Sequence, residues 1–87
     1  MGAVTDLRVY PNPFVGSTKV SYSLERPGHV RVDLIDVTGR LVGILADRFE
    51  GQGKHEIIVP YVVPGMYLVR VNAEGESATT TLVAVGW

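Results

Sequence analysis

Apolar and polar residues alternate with a period of two along several short stretches of this chain. Residues 18–24, 29–35 and 66–72 each place an apolar side chain at every second position. This pattern is typical of β-strands that bury one face and expose the other. The side chains predicted to face the core are Val20, Tyr22, Leu24, Val30, Val32, Leu34, Tyr67, Val69 and Val71.

Turn-forming residues separate these stretches and mark further strands between them. Gly and Pro recur about every ten positions, a spacing typical of all-β domains, and no segment carries a sustained helical stripe. The predicted strands are residues 6–10, 18–24, 29–35, 41–45, 55–59, 66–72 and 77–85. Short strands at this spacing predict an all-β fold, an immunoglobulin-like antiparallel β-sandwich of about seven strands.

The connections between the strands indicate which strands pair. The Arg-Pro-Gly turn at 26–28 leaves a short link between the second and third strands, so we expect these two to be antiparallel neighbours. The last two strands are expected to form a hairpin through residues 73–76. The apolar stretch at 41–45 predicts a more buried strand, and the polar residues 47–54 predict a loop.

Length and charge narrow the classes of function. The 87 residues suffice for one domain, with a linker remnant and the start of the first strand in 1–8 and a single β-sandwich in 9–87. The 8 Lys and Arg residues are balanced by 9 Asp and Glu residues. The chain therefore has no basic field that would attract nucleic acid. Without cysteine there is no disulfide or thiol chemistry. No apolar run approaches the roughly 20 residues of a membrane helix, so membrane insertion is not expected.

The polar residues form no catalytic or metal-binding pattern. Neither His29 nor His55 has a Cys, Asp or Glu at the spacing of a zinc site. Asp33 and Asp36 lie three residues apart, so on a strand they point to opposite faces and cannot act as an acid and base pair. We expect Asp33 to face solvent and Asp36 to form a turn. The sequence predicts no enzyme, no cofactor and no metal site.

A proline-rich corner follows the first strand. In VYPNPF, residues 9–14, two prolines flank Asn12. Proline fixes its own φ at about −65° and pushes the preceding residue toward extended geometry. The segment is therefore predicted to be a stiff bend.

The corner is the first of several motifs that together resemble a known family. YPNPFVGSTKVSYSL, VRVDLIDVTGRLVGIL, GKHEIIV and PGMYLVRV follow one another, and a final apolar strand comes after them. This order resembles the C-terminal sorting domain of the type IX secretion system, type A, from Val9 to Val85. The same motif order is also similar to that of the immunoglobulin-like domain of flagellar hook-capping proteins.

Carried over position by position, the family's motifs name the candidate recognition residues. These are Pro11, Asn12, Pro13, Asp36, Gly39, Arg40, Gly65 and Tyr67. In the last strand, Leu82, Val83 and Val85 are candidates, because edge-strand recognition by β-augmentation favours the last hairpin as the contact. The chain departs from the family pattern in one respect, since it has no Lys or Arg after Arg70.

The resemblance implies a function. The domain would be the non-catalytic C-terminal signal of a larger exported protein of a Bacteroidetes-type bacterium, which crosses the periplasm and reaches the cell surface through the outer-membrane type IX translocon. A sortase-like signal peptidase would remove the domain, and the stiff corner would mark where a cleavable linker ends. Two copies are also expected to be able to pair through an open edge strand.

Two alternatives stay open. One is an immunoglobulin-like spacer or adhesion module of a surface enzyme. The other is a small carbohydrate-binding module that would use exposed aromatic rings, for which Phe14, Phe49 and Tyr61 are available.

Overall fold

Seven β-strands make up the domain, as the alternating pattern and the spacing of the turn residues together predict. The computed structural model describes residues 3–86. The strands are β1 (Val4–Tyr10), β2 (Thr18–Leu24), β3 (Gly28–Asp36), β4 (Leu41–Glu50), β5 (Gly53–Val59), β6 (Gly65–Ala73) and β7 (Glu76–Ala84). Every predicted strand is present, and most of them extend beyond their predicted ends.

The strands form two antiparallel sheets that pack face to face. Sheet A has the order β1-β2-β5, and sheet B has the order β4-β3-β6-β7. This arrangement confirms the predicted immunoglobulin-like β-sandwich. The inward-facing residues of both sheets form one core, which contains all nine side chains predicted to face inward.

Strand β6 shows most clearly how the alternation determines burial. Val69 is fully buried, whereas 38% of the surface of its neighbour Leu68 is exposed. Successive side chains of a strand point to opposite faces, so Val69 enters the core while Leu68 lies on the outer face of sheet B. Each fully buried side chain of this size contributes roughly 1.5–3 kcal/mol to the free energy of unfolding.

One predicted strand pairing is wrong and another is confirmed. Strands β2 and β3 are not neighbours, because β2 pairs with β1 and β5 whereas β3 pairs with β4 and β6. The connection at residues 25–27 carries the chain from sheet A to sheet B. Strands β6 and β7 do pair as a hairpin, from Gly65 opposite Ala84 to Ala73 opposite Glu76.

The stretch at 41–45 is not the buried strand that its composition predicts. It begins β4, which is an edge strand of sheet B, and its large side chains Leu41, Val42 and Ile44 are half-exposed. The reason is the register of β4 against β3. Leu41 lies opposite Ile35 and Ile44 lies opposite Asp33, so both side chains point to the outer face of sheet B, which sheet A does not cover.

Residues 47–54 do not form the loop that their polar character predicts. Strand β4 continues to Glu50 and β5 starts at Gly53, so Gly51 and Gln52 alone connect them. Because β4 and β5 belong to different sheets, this two-residue connection also crosses the sandwich and does not form a hairpin.

The two ends of the sandwich differ in chemistry. Strands β1, β3, β5 and β7 finish at one end, which we call the corner end because it holds the proline corner. Its segments are residues 11–17, 37–40, 60–64 and 85–86. Arg40 is the one charged residue in these segments. The opposite end, which we call the charged end, carries Glu25, Arg26 and Glu74 in its loops and Ala3 at the start of the described chain.

Candidate recognition surface

The proline corner is bonded to the last strand. The side-chain amide of Asn12 donates to the carbonyl oxygen of Thr81 at 2.9 Å, and its oxygen accepts from the backbone amide of Val83 at 2.9 Å. The amide of Phe14 donates to the carbonyl oxygen of Val83 at 3.0 Å, and its own carbonyl accepts from the amide of Val85 at 2.8 Å. The corner therefore forms a short parallel bridge beside β7.

The residue types of the corner suit this contact. The Asn12 side chain carries a donor and an acceptor, so it can replace a backbone peptide unit beside β7. Pro11 and Pro13 have no amide proton to leave unpaired, and the Tyr10–Pro11 and Asn12–Pro13 peptide bonds are both cis. The carbonyl oxygen of Pro11 accepts from the hydroxyl of Thr18 at 2.5 Å. Phe14 is buried in the core, so it is not the exposed ring that the carbohydrate-binding alternative would use.

The corner lies inside the fold and not at its boundary. Strand β1 precedes it and pairs with β2 in sheet A. Buried Ala3 accepts a backbone hydrogen bond from Glu25 at 3.0 Å. The expectation that the corner separates a linker from the folded signal is therefore wrong. The corner instead covers the outer edge of β7, where the Thr81 carbonyl, both backbone groups of Val83 and the Val85 amide are already bonded.

The Asp-x-x-Gly-Arg motif is a closed turn between β3 and β4. One carboxylate oxygen of Asp36 accepts from the Thr38 amide at 2.9 Å, the Thr38 hydroxyl at 2.6 Å and the Arg40 amide at 3.0 Å. The Gly39 amide donates to the Asp36 carbonyl at 3.0 Å. Gly39 has a φ of +88°, a left-handed conformation that glycine adopts without steric cost. Asp36 is the turn-forming residue that the sequence predicts.

Arg40 is the accessible side chain of this turn. The hydrogen bond from the Thr38 hydroxyl, and after it the bond from the Arg40 amide, hold the pKa of the Asp36 carboxyl below its ordinary value. The carboxylate is therefore occupied by the hydrogen bonds of the turn. The Arg40 guanidinium lies 3.6 Å from the carboxylate, with 82% of its side chain exposed. Exposed pairs of this kind contribute little to stability, so Arg40 can present its charge to a partner.

The Gly65 and Tyr67 motif lies beside this turn. Asp36 at the end of β3 pairs with Tyr67 of β6, and Tyr67 pairs with Leu82 of β7. Tyr67 and Leu82 are both buried in the core. The Tyr67 hydroxyl also donates to the carbonyl oxygen of Val63. Tyr67 therefore fixes the 60–64 loop against the start of β6.

The structure brings all eleven candidate recognition residues to the corner end. The exposed members are Pro11, Asn12, Pro13, Gly39, Arg40, Gly65 and Val85. Asp36 and Val83 are half-buried, and Tyr67 and Leu82 are buried. A partner can touch the exposed members directly, whereas the buried ones can act only by shaping the fold. Their role in recognition stays a prediction.

Exposed apolar side chains around these motifs were not predicted. Val37, Tyr61, Val63 and Met66 are each more than half-exposed. Alternation does not identify them because most of them lie outside regular strands. One signal of an apolar surface was present in the sequence. Connections are ordinarily rich in Gly, Asn, Asp and Ser, whereas residues 61–63 read Tyr-Val-Val.

A buried polar cluster near the charged end was also missed. The Tyr22 hydroxyl donates to Glu50 at 2.5 Å, and the Arg48 Nε donates to the other Glu50 oxygen at 2.9 Å. His55 lies beside them, with its ring centroid 5.8 Å from that of Tyr22. Burial, and after it the hydrogen bond to Glu50, raises the pKa of Tyr22 above its ordinary value. The cluster joins sheet A to sheet B, which is a structural role.

Asp33 is not the solvent-facing carboxylate that the sequence predicts. Its side chain is only 6% exposed. The Arg31 Nε lies 2.7 Å from one carboxylate oxygen, and an Arg70 nitrogen lies 3.2 Å from the other. All three side chains point to the outer face of sheet B, where the two arginines cover the carboxylate. The hydrogen bond to Asp33 raises the pKa of Arg31.

Metal binding, membrane insertion and sugar binding each require a recognisable arrangement of residues. Within residues 3–86, no group of three or more His, Asp or Glu side chains is placed to hold a metal ion. The same residues contain no helix that is long and apolar enough to cross a membrane. The exposed rings of Tyr10, Phe49 and Tyr61 lie on separate strands and loops. Phe49 lies near the charged end, whereas Tyr10 and Tyr61 lie at the corner end, so the three rings do not share one end of the sandwich.

Comparison with solved structures agrees with the observed architecture. The crystal structure of the S-layer protein SbsC, domains 4 and 5, is similar, with a TM-score of 0.59 and 11% sequence identity. The match covers 99% of this chain and 54% of that chain, so the present domain spans about half the length of the S-layer structure. At this identity the likeness shows the fold alone. No curated protein matches the chain.

A family model extends the comparison from fold to family. The model describes the secretion system C-terminal sorting domain, and it matches residues 8–85. The matched range contains the proline corner, the Asp36 turn and the last hairpin, which are the features that meet at the corner end. Because nearly the whole chain is matched, this chain belongs to the family of C-terminal sorting domains of the type IX secretion system.

Proposed function

We propose that this domain is the non-catalytic C-terminal address of a larger cargo protein and directs that cargo through the outer-membrane type IX translocon to the cell surface. Family membership over residues 8–85 is the observation that carries the proposal. The geometry further supports recognition of the folded domain over recognition of an extended peptide. Asp36, Tyr67 and Leu82 are far apart in the sequence and become neighbours only when β3, β6 and β7 pair.

A sortase-like peptidase that removes the domain would cut on the N-terminal side of β1. Strand β1 is hydrogen-bonded to β2, and Ala3 just before it is buried. Proteolysis favours exposed and mobile segments over backbone that is paired in a sheet. The proposed cleavage site therefore precedes residue 3, and the proline corner serves the fold and is not the cleavage signal.

The proposal is tested with a periplasmic reporter in a bacterium that has an active type IX system. The domain is fused to the C-terminus of the reporter, and display is measured by antibody labelling of intact cells. The controls are the reporter alone and a fusion with Val69→Asp, which places an unpaired charge in the core and should unfold the domain. We expect display of the wild-type fusion only.

Two outcomes would count against the proposal. Retention of a stable wild-type fusion in the periplasm would contradict the function itself, and display of the Val69→Asp fusion would contradict recognition of the folded domain. Deletion of the last ten residues is not an equivalent control. It removes Leu82 and Ala84, which belong to the core, so it would abolish display through unfolding alone.

A further inference from the structure

The exposed apolar side chains of the domain are concentrated toward one end. Those in the half of the sandwich that includes the corner end are Tyr10, Val15, Val37, Leu41, Val42, Ile44, Ile58, Tyr61, Val63, Met66, Leu68 and Val85. Among the described residues, Phe49 is the one large exposed apolar side chain near the charged end. Single exposed apolar residues are ordinary, but a concentration of this kind marks an interaction surface.

The apolar surface continues from the loop tips onto the outer face of sheet B, whereas Tyr10 and Ile58 lie on the outer face of sheet A. Leu41 of β4 and Leu68 of β6 lie opposite Ile35 of β3, one on each side. Ile35 is buried, although it lies outside the core cluster. These three residues therefore form an apolar row on the outer face of sheet B, next to the corner end.

Strand addition at the edges of sheet B is hindered. The corner occupies the outer edge of β7 from Thr81 to Val85. The β3–β4 ladder is interrupted by two register shifts, and bulges of this kind bend an edge strand away from further pairing. A partner that contacts sheet B at the corner end is therefore expected to bind through side chains.

We propose that the corner end docks into a concave, apolar recess of a protein of the export machinery, with a carboxylate of that protein opposite Arg40. This inference rests on the proposed function. A concave protein surface can contact both the loop tips and the outer face of sheet B, whereas a planar bilayer would contact the loop tips alone. Arg40 is 82% exposed and is the one charged residue in the corner-end segments, so the complementary charge is negative.

The position of the N-terminal side of the domain agrees with this orientation. Ala3 lies at the charged end, where its amide donates to Glu76 at 2.7 Å. A cargo joined before residue 3 would therefore sit next to the charged end. The corner end points away from the cargo and is accessible to the export machinery.

The first test removes apolar contact area without disturbing the core. The triple variant Val37→Ser, Tyr61→Ser and Val63→Ser changes side chains that are 71%, 70% and 69% exposed. Phe49→Ser is the matched control, because Phe49 is 71% exposed near the opposite end. Surface display of the reporter fusion should fall about tenfold or more in the triple variant, since truncation of central interface residues commonly weakens binding by that factor. Wild-type display of the triple variant, or an equal loss in Phe49→Ser, would overturn the proposal.

The second test changes a single position of the domain and detects contact with the partner directly. A photoreactive amino acid is placed at position 63 or position 49 of the reporter fusion, and living cells are irradiated. Position 63 should attach to an outer-membrane translocon protein that mass spectrometry identifies, and position 49 should not. Attachment of position 63 to lipid, to a second copy of the fusion or to no partner would overturn the proposal. Failure of the proposed function is recognised separately, because the wild-type fusion then stays in the periplasm.

Discussion

Asp36 stabilises its turn only in the charged form. Its carboxylate accepts three hydrogen bonds from Thr38 and Arg40, and these bonds lower its pKa in the folded state. A carboxyl group with a lowered pKa contributes stability above the ordinary Asp value of about 4. That contribution is lost as the pH falls through the lowered value.

Asp36→Asn should therefore lower the melting temperature at pH 7, because the amide cannot accept the same charge-assisted bonds. The difference from the wild type should shrink as the pH falls below the ordinary Asp value of about 4, because the wild-type carboxyl then becomes protonated and loses these bonds. Thermal unfolding followed by circular dichroism measures both values, and Asp6→Asn on exposed β1 serves as the control. A difference that stays constant from pH 7 to pH 2 would contradict this account of the turn.

Tyr22 stabilises the domain through its bond to buried Glu50. Tyr22→Phe should lower the free energy of unfolding at pH 7 by about 1.5–3 kcal/mol, the range for hydrogen bonds to charged groups. Exposed Tyr61→Phe should change it by less than about 0.5 kcal/mol. Urea titrations give both values, and a Tyr22→Phe variant as stable as the wild type would refute a structural role for the cluster.

The pH dependence of Tyr22 has the opposite sign to that of Asp36. Its raised pKa means that the unfolded chain ionises at a pH where the folded protein still holds the phenol proton. The contribution is complete below the ordinary Tyr value of about 10 and is lost as the pH rises above it. The Tyr22→Phe variant should therefore lose less stability than the wild type above that pH.

At the residue scale, local roles could be predicted and long-range roles could not. The turn role of Asp36 follows from residues within four positions of it. The burial of Asp33 depends on Arg70, and that of Glu50 depends on Tyr22, both from other strands. Alternation assigns a face to each side chain, but it does not reveal what covers that face.

At the element scale, the proline corner is hydrogen-bonded along the outer edge of β7. Asn12→Ala removes both side-chain bonds to β7, so the Val83 amide should exchange with solvent faster, while the Val69 amide in central β6 should keep its protection. Hydrogen exchange followed by NMR measures both amides. Unchanged protection of Val83 would show that the Asn12 bond does not hold the corner in place.

Strand positions could be predicted far better than strand pairing. A period of two identified β2, β3 and β6, and short runs between turn residues identified the other strands; both are local signals. The connections 25–27 and 51–52 are short enough for hairpins, yet both cross between the sheets. The choice between pairing and crossing depends on how the two layers pack. The exposure of β4 likewise depends on its register against β3, which turns Leu41 and Ile44 to the outer face of sheet B.

At the scale of the whole molecule, the motifs converge because of the topology. Pro11, Asp36, Gly65 and Val85 are spread over most of the chain, and they meet because every odd-numbered strand finishes at the corner end. The order of the motifs was sufficient to recognise the family from the sequence. Their convergence was not predictable, and neither was the apolar surface around them, because both require the path of all seven strands.

The central claim is that the domain is an export address that is read at its corner end. The most direct measurement compares surface display of a reporter that carries the domain at its C-terminus with a reporter that carries it between two modules. Chain continued from Gly86 would place the second module against the corner end. The account therefore predicts display from the C-terminal position and retention from the internal one. The same outcome at both positions would contradict the account, and equal display would favour an immunoglobulin-like spacer.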